Sequence, residues 1–220
     1  MKCETMAEMR ILMPAVLIAL GGLQTPPAGG LSFTAPSAWQ SRPAASTMRV
    51  AEFVVPKTPG DGEDAELIVY FFGGSGGTVD ANIDRWVAQI QQPDGSASKD
   101  KARRATQTIN GLKVTMVDLS GTYIAEVRPG ATERHNKPDF RLRAAVIETP
   151  RGPYYIKMTG PAKTMTAADA DFKAFLATVH EAEDRRVRAN TQGEREHGDG
   201  RERRAFPQLP EREPEVGHLA

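Results

Sequence analysis

One apolar run constrains the fold of this chain more than any other feature. Residues 67–72 read Leu-Ile-Val-Tyr-Phe-Phe without a polar side chain, which is typical of a central strand buried on both sides. A helix is therefore expected to cover one face of the sheet that contains this strand. The segment directly after the run has the spacing of an amphipathic helix, with Thr78 as its N-cap. Its apolar positions are Val79, Ile83, Trp86, Val87 and Ile90.

The remaining apolar segments indicate strands joined by hairpins. Short strands are expected over residues 31–36 and 49–55. A proline ends each of them, since proline cannot donate a hydrogen bond within a sheet. Asn110-Gly111 is a hairpin turn signal before the apolar residues of 112–119. A second hairpin turn is expected over residues 150–153. Hairpins join antiparallel strands, so the sequence predicts an α+β domain with a mostly antiparallel sheet covered by helices.

A second covering helix is expected near the end of the folded region. Thr166 and Asp169 have the spacing of a capping box, in which two side chains bind the first backbone N–H groups of a helix. The apolar face of this helix consists of Phe172, Phe175, Leu176 and Val179. Together with the helix after Thr78, it gives two helices packed on the sheet.

Three short motifs carry a resemblance to a known superfamily. Residues 33–39 read Phe-Thr-Ala-Pro-Ser-Ala-Trp, residues 154–161 read Tyr-Tyr-Ile-Lys-Met-Thr-Gly-Pro, and residues 172–176 read Phe-Lys-Ala-Phe-Leu. With a helix over residues 82–91 and paired strands between them, the chain resembles the PsbP-like α/β/α sandwich superfamily, which includes many exported bacterial domains. The resemblance implies a sandwich fold and an accessory role outside the cytoplasm. It implies no catalytic or binding residue, because no functional position of that family matches this sequence.

Residues 1–28 are expected to be a signal peptide and a short linker. Lys2 and Arg10 precede an uncharged apolar run over residues 11–20, which is shorter than the about 20 residues that span a bilayer but suits a secretory signal. A buried helix of the fold is the alternative, and the prolines and glycines within and after the run disfavour it. The cleavage region has no cysteine after it to carry a lipid. We therefore expect a periplasmic or secreted protein without a stable membrane anchor.

The chain divides by composition after the signal peptide. Residues 31–180 have the rhythm of a single α+β domain, and a domain of this size buries enough surface for one core. Residues 181–220 are rich in charge and proline and have almost no apolar periodicity. Such a segment cannot bury enough surface to offset its ordering entropy, so a charged disordered tail is expected there.

Composition excludes several classes of function. The chain carries 28 Lys and Arg against 28 Asp and Glu, so no net field recruits nucleic acid. One cysteine excludes a disulfide framework and a cysteine-rich metal site. Asp61, Glu63 and Asp64 lack the spacing of a calcium-binding loop. We expect no bound metal and no cofactor.

The sharpest local motif is the glycine loop, residues 73–77, which reads Gly-Gly-Ser-Gly-Gly. It fits the Gly-x-Ser-x-Gly pattern of a nucleophile elbow between a strand and a helix. A serine hydrolase would use Ser75 as the nucleophile, His135 or His180 as the base and Asp118 to orient the imidazole. That fold requires a parallel sheet with crossover helices, whereas this sequence is rich in hairpins. We therefore retain catalysis only as the alternative hypothesis.

A second hypothesis for the glycine loop is binding of an anion at the start of the helix. Backbone N–H groups converge at such a helix end, where the helix dipole favours negative charge. The candidate ligand-binding residues are Gly74, Ser75, Gly76, Gly77, Thr78, Asn82 and Arg85. Asn82 and Arg85 are expected on the exposed side of the helix. The plain structural alternative is that the glycines allow positive φ in a tight connection.

These observations favour a non-catalytic function. The sequence predicts an exported binding or accessory module for an unknown protein partner or a small anionic ligand. The loop and the helix that follows it are the expected contact face.

Overall fold

The computed structural model describes residues 30–182 of the chain. The predicted signal peptide and all but the first two residues of the predicted tail lie outside this range. The strands of the described residues are β1 (Leu31–Ser32), β2 (Gln40–Arg42), β3 (Arg49–Val55), β4 (Ala65–Phe71), β5 (Ile90–Gln91), β6 (Arg103–Ile109), β7 (Leu112–Tyr123), β8 (Lys137–Glu148), β9 (Tyr154–Pro161) and β10 (His180–Glu181). The helices are α1 (Val79–Val87), α2 (Ser98–Lys101), α3 (Ala162–Ala167) and α4 (Asp169–Ala177).

The centre of the fold is an eight-stranded antiparallel sheet. Its order is β2-β3-β4-β9-β8-β7-β5. The strand β6 pairs with residues 112–118 of β7, whereas β5 pairs with residues 122 and 123 of the same strand. Every pairing in it is antiparallel. A separate two-stranded ladder joins β1 to β10. The fold class expected from the hairpins is confirmed, since the described residues form a mostly antiparallel α+β sandwich.

Two hydrophobic cores lie on opposite faces of this sheet. The first core packs α3 and α4 on the sheet through Met165, Phe172 and Phe175. The second core packs α1 through Ile83, Trp86 and Val87. Side chains alternate between the two faces along each strand. The domain is therefore a three-layer α/β/α sandwich.

The apolar run that predicted a central strand forms β4. This strand lies between β3 and β9, and Leu67, Ile68 and Val69 are all buried. Leu67 and Val69 face the first core, while Tyr70 packs against the second. The strand thus contacts both layers, as the absence of polar residues predicted.

The final helix differs from the prediction in where it begins. The chain forms α3 immediately after β9, and α4 follows α3 after Ala168. The side chain of Thr166 does not cap α4, because its hydroxyl donates to the carbonyl of Ala162. Asp169 accepts hydrogen bonds from Arg141 and Arg143 instead. Phe172, Phe175 and Leu176 of α4 are buried nonetheless, and Val179, which was expected in the same helix, is buried two residues beyond its end.

Candidate functional site

The glycine loop lies between β4 and α1 and is held by side chains beneath it. The hydroxyl of Tyr155 donates to the carbonyl of Gly77 at 3.0 Å. The side-chain amide of Asn82 donates to the carbonyls of Gly76 and Thr78 at 2.8 Å each. A Cβ atom at Gly76 would lie 2.5 Å from the Tyr155 hydroxyl oxygen. The loop needs a glycine at this position because it packs directly on an aromatic ring.

Asn82 corrects an expectation from the sequence. It was predicted on the exposed side of α1, but only 1% of it is exposed. Its side chain points back to the glycine loop and also accepts a hydrogen bond from Arg85. A buried amide of this kind fixes the loop to the helix, since a polar group without partners is costly to bury. Arg85 is exposed, as predicted.

The first turn of α1 already has its own hydrogen-bond acceptor and negative charge. The Thr78 hydroxyl accepts from the backbone N–H of Ala81 at 3.2 Å, which is the predicted cap. Asp80 lies in the same turn and pairs with Arg104 at 2.5 Å. An acidic side chain there competes with an external anion for the positive end of the helix. The anion-binding hypothesis for this loop stays a prediction.

The structure does not bring the residues of the hydrolase hypothesis together. The Ser75 hydroxyl donates to the carbonyl of Phe72 at 2.6 Å. Asp118 binds Arg141 and Arg103. His135 stacks on Tyr123 at 5.4 Å between ring centroids, and Nδ1 of His180 contacts the carbonyl of Thr178. Ser75 therefore has no histidine within hydrogen-bond distance in the described part of the chain.

Ser75→Ala is expected to leave any ester turnover of the purified protein unchanged. The physical reason is that the hydroxyl is bound to a carbonyl and has no base to accept its proton. A fluorophosphonate probe followed by mass spectrometry of the peptide around residue 75 provides the measurement. Covalent labelling at Ser75 that disappears in the variant would revive the hydrolase hypothesis.

The second face of the sheet is only partly covered by α1. This helix lies over β7 and β8, and its Trp86 packs edge-on against Tyr155 of β9 at 6.3 Å. On the same face, β3, β4 and β9 carry charged or aromatic side chains that are exposed or partly exposed. We call this group the open sheet face, and it consists of Arg49, Glu52, Glu66, Tyr70 and Lys157.

Lys157 lies on β9, at the side of the open sheet face that adjoins β8. It pairs with Ile68 of β4 on one side and Ala144 of β8 on the other. Its ammonium donates to Oε1 of Gln89 at 2.6 Å and to the hydroxyl of Tyr123 at 3.1 Å. The nitrogen also lies 5.1 Å from the centroid of the Tyr123 ring. Both hydrogen-bond partners are neutral groups.

Burial shifts the pKa values of Lys157 and Tyr123 in opposite directions. Burial lowers the pKa of Lys157 to about 8, because it penalises the charged ammonium. The negative charge of Glu66 partly opposes that shift, while Arg85 and Arg49 add to it. Burial also raises the pKa of Tyr123 to about 12. Tyr123 is therefore a neutral hydrogen-bond partner at physiological pH.

Tyr70 forms the aromatic part of the open sheet face. Its ring stacks on Phe72 at 5.9 Å and 12° between ring planes. The guanidinium of Arg49 lies 5.8 Å from the Tyr70 centroid, and Arg49 also pairs with Glu52 at 3.1 Å. Burial raises the pKa of Tyr70 above its ordinary value. A half-buried ring with a polar tip is suited to contact with a partner.

No functional role was predicted for Lys157, although residues 154–161 form one of the motifs that carry the family resemblance. The residue lies between Ile156 and Met158, which are both fully buried. Strict alternation places Lys157 on the opposite face of the sheet from those two residues. The available signal in the sequence was a single charged residue, Lys157, within an otherwise apolar strand. Its meaning depended on Gln89 and Tyr123, which are distant in sequence.

A groove of about 500 Å³ lies at one end of the sheet. It is lined by residues 60–63, 136–140 and 161–163. Lys137 and Glu63 form an ion pair across these segments at 2.5 Å. Asp61 accepts hydrogen bonds from the backbone and hydroxyl of Thr164 at 2.8 and 2.5 Å. Within residues 30–182 there is no cluster of three or more His, Cys, Asp and Glu side chains placed to hold a metal ion.

No family model and no curated protein matches the sequence. The solved structures to which the chain is similar include PA94 of Pseudomonas aeruginosa, a protein of unknown function. It has 15% identity and a TM-score of 0.42, and the match covers 71% of this chain and 100% of that chain. LpqN of Mycobacterium tuberculosis, involved in cell envelope biogenesis, has 11% identity and a TM-score of 0.45, with 73% and 88% of the chains covered.

Cyanobacterial PsbP from Synechocystis is another similar structure. It has 10% identity and a TM-score of 0.39, and the match covers 74% of this chain and 98% of that chain. A PsbP protein is thus among the solved structures to which the chain is similar. Fold resemblance alone does not assign a function, so what the protein does has to be inferred from its own residues.

Among residues 30–182, no helix has both the length and the apolar character needed to cross a bilayer.

Proposed function

We propose that the protein is an exported, non-catalytic accessory module that binds a partner over the open sheet face. The observation that carries this proposal is the incomplete cover of the second face. Where α1 does not lie over the sheet, the strands display Arg49, Glu52, Glu66 and Tyr70 beside the buried ammonium of Lys157. Export is supported by the apolar run over residues 11–20.

The composition of the open sheet face is suited to recognition. Tyrosine and arginine are enriched among the residues that contribute most to protein interfaces. Arg85 of α1 lies near enough to this face for its charge to act there. Burial lowers the pKa of Lys157 and raises the pKa of Tyr155, and the positive charge of Arg85 adds to the first shift and opposes the second. Arg85 was assigned to a ligand site at the glycine loop by the sequence hypothesis. That assignment stays a prediction, and in the present proposal Arg85 also adds a cation beside the open sheet face.

The proposal predicts that a photo-crosslinker on this face captures a discrete partner. Tyr70 is replaced by p-benzoylphenylalanine in the full chain, which is then irradiated in an envelope extract of the source organism. A crosslinked species is expected from position 70, because its half-buried ring lies within the open sheet face. The crosslinked product is measured by gel shift and mass spectrometry.

The matched control places the same crosslinker at Lys173, which is exposed on α4 across the sheet. Equal capture from both positions, or no capture from position 70, would contradict the assignment of this face. A version of the chain truncated after His180 is run in parallel. Loss of the product only on truncation would assign recognition to the C-terminal segment.

A further inference from the structure

Among residues 30–182, the ammonium of Lys157 has no carboxylate as a counter-ion. An ammonium has three N–H donors, and the protein fills two of them with Gln89 and Tyr123. No carboxylate of the described residues lies within ion-pair distance of Lys157, although Glu66 is near enough to act on its pKa. A buried charge without a paired charge is costly. The third donor and the charge of Lys157 are therefore available to a group from outside the chain.

The charges that surround Lys157 define the chemistry of that group. Arg85 on α1 and Arg49 on β3 are positive, while Glu66 on β4 is negative, and all three act on Lys157. Arg49 is already paired with Glu52, whereas Arg85 donates to the neutral side-chain amide of Asn82. The local excess is positive and favours a carboxylate. The exposed Glu66 beside it favours an occupant that also brings a cation.

A polypeptide meets both requirements better than a small anion. It can place an acidic and a basic side chain a few ångströms apart on one segment. A free carboxylate brings no positive charge to pair with Glu66, so the negative charge of Glu66 would repel it. Tyr70 and Phe72 add a stacked aromatic surface at the edge of the same face. Because Lys157 and Glu66 carry opposite charges on one face, the best complement is a partner segment with an acidic side chain close to a basic one.

We propose that Lys157 is the carboxylate-binding residue of the open sheet face and receives an acidic side chain of a polypeptide partner, whose neighbouring basic side chain pairs with Glu66. This inference rests on the proposed function and specifies the chemistry of the partner. Lys157 is held in place for this role by Gln89 at the end of α1 and by Tyr123 at the end of β7.

The test uses three soluble peptides of equal length on the full chain at low ionic strength. One alternates Glu and Lys, one contains only Glu, and one contains only Lys. Binding is followed by NMR at the Cε–H groups of Lys157 and at the side chain of Glu66. The alternating peptide is expected to shift both sets of signals and to bind more tightly than either of the other two peptides.

The titration of Lys157 provides a second readout. A bound carboxylate favours the charged ammonium, so the alternating peptide should raise the pKa of Lys157 above its value of about 8 in the free protein. The complex should then weaken as the pH rises above that value, because the free lysine loses its proton there. Glu66, Arg85 and Arg49 are the charged groups whose fields act on Lys157.

Substitutions separate this role from general electrostatics. Lys157→Gln is expected to weaken binding of the alternating peptide about tenfold, as for the loss of a close charge pair. Lys157→Arg should retain part of the affinity, and Lys173→Gln on the far face should retain all of it. An equal loss in the Lys157 and Lys173 variants would overturn the proposal.

Three further results would also overturn it. If the all-Glu peptide binds as tightly as the alternating one, Glu66 takes no part in recognition. If acetate alone raises the pKa of Lys157 as much as the peptide does, the occupant is a small carboxylate. Crosslinking from position 70 that succeeds while Lys157→Gln binds normally would refute this inference and leave the proposed function standing.

Discussion

Gly160→Ala is expected to lower the free energy of unfolding by about 3 kcal/mol, at the upper end of the usual cost of overpacking. A Cβ atom at this position would lie 2.3 Å from the Cβ of Ala65 and 2.7 Å from its Cα. Gly160 belongs to β9 and Ala65 to the neighbouring strand β4, so backbone atoms would have to move. The two central strands would separate at the point where they support the first core. Urea unfolding followed by circular dichroism measures the loss.

Gly62→Ala is the matched control for this substitution. No heavy atom lies within 4 Å of a Cβ built at Gly62, and its φ is not in the left-handed region. The control should unfold within about 0.5 kcal/mol of the wild type, as is usual for surface substitutions. Wild-type stability in the Gly160 variant would show that β4 and β9 do not approach each other as closely as described.

Arg141→Ala is expected to lower the free energy of unfolding by about 3 to 5 kcal/mol, the range for breaking a buried ion pair. Only 7% of Arg141 is exposed. Its guanidinium binds both carboxylate oxygens of Asp118 at 2.8 and 2.7 Å and reaches Asp169 at 3.0 Å. Removing it leaves two carboxylates of the first face without this cation. Urea unfolding at pH 7 is the measurement.

Arg103→Ala provides a control at the same carboxylate. Arg103 also contacts Asp118 at 3.0 Å, but 76% of its side chain is exposed. Exposed ion pairs contribute little, so this variant should lose at most about 1 kcal/mol. Similar losses in the two arginine variants would contradict a special role for Arg141.

The difference between wild type and Arg141→Ala should also depend on pH. Burial raises the pKa of Asp118, but the hydrogen bonds and charge of Arg141 outweigh this effect and hold the pKa below its ordinary value. A depressed carboxyl pKa stabilises the folded state above the unfolded value of about 3.9, and this contribution is lost as the pH falls. The stability gap between the two proteins should therefore narrow below about pH 4.

The sequence predicted the parts of the fold that depend on local patterns. The apolar run at 67–72, the helix capped by Thr78 and the turn at Asn110 and Gly111 each carry their information within a few residues. The structure places β4, α1 and the β6–β7 turn at these positions. Asn110 and Gly111 both have the positive φ that such a turn requires.

Side-chain partners across the fold were not predictable in the same way. Asn82 was predicted to be exposed because helical spacing places it beside Arg85, yet its side-chain amide donates to the carbonyls of Gly76 and Thr78. Lys157 lies in a segment for which only a strand was predicted, and its partners are 68 and 34 residues away along the chain. Such contacts depend on how the helices pack on the sheet, and the patterns in a single sequence do not predict this packing in atomic detail.

The short ladder between β1 and β10 has a mechanical consequence. The backbone N–H of Ala182 donates to the carbonyl of Gly30 at 2.7 Å, so the chain enters and leaves the described domain at the same place. A force that pulls residues 30 and 182 apart would first load the β1–β10 ladder, which we call the terminal clasp and which has two residue pairs. The eight-stranded sheet would not be loaded first. Because Leu31 belongs to the first core, the terminal clasp sits across the sheet from Lys157. Tethering the domain at both ends would therefore leave the open sheet face free to meet a partner.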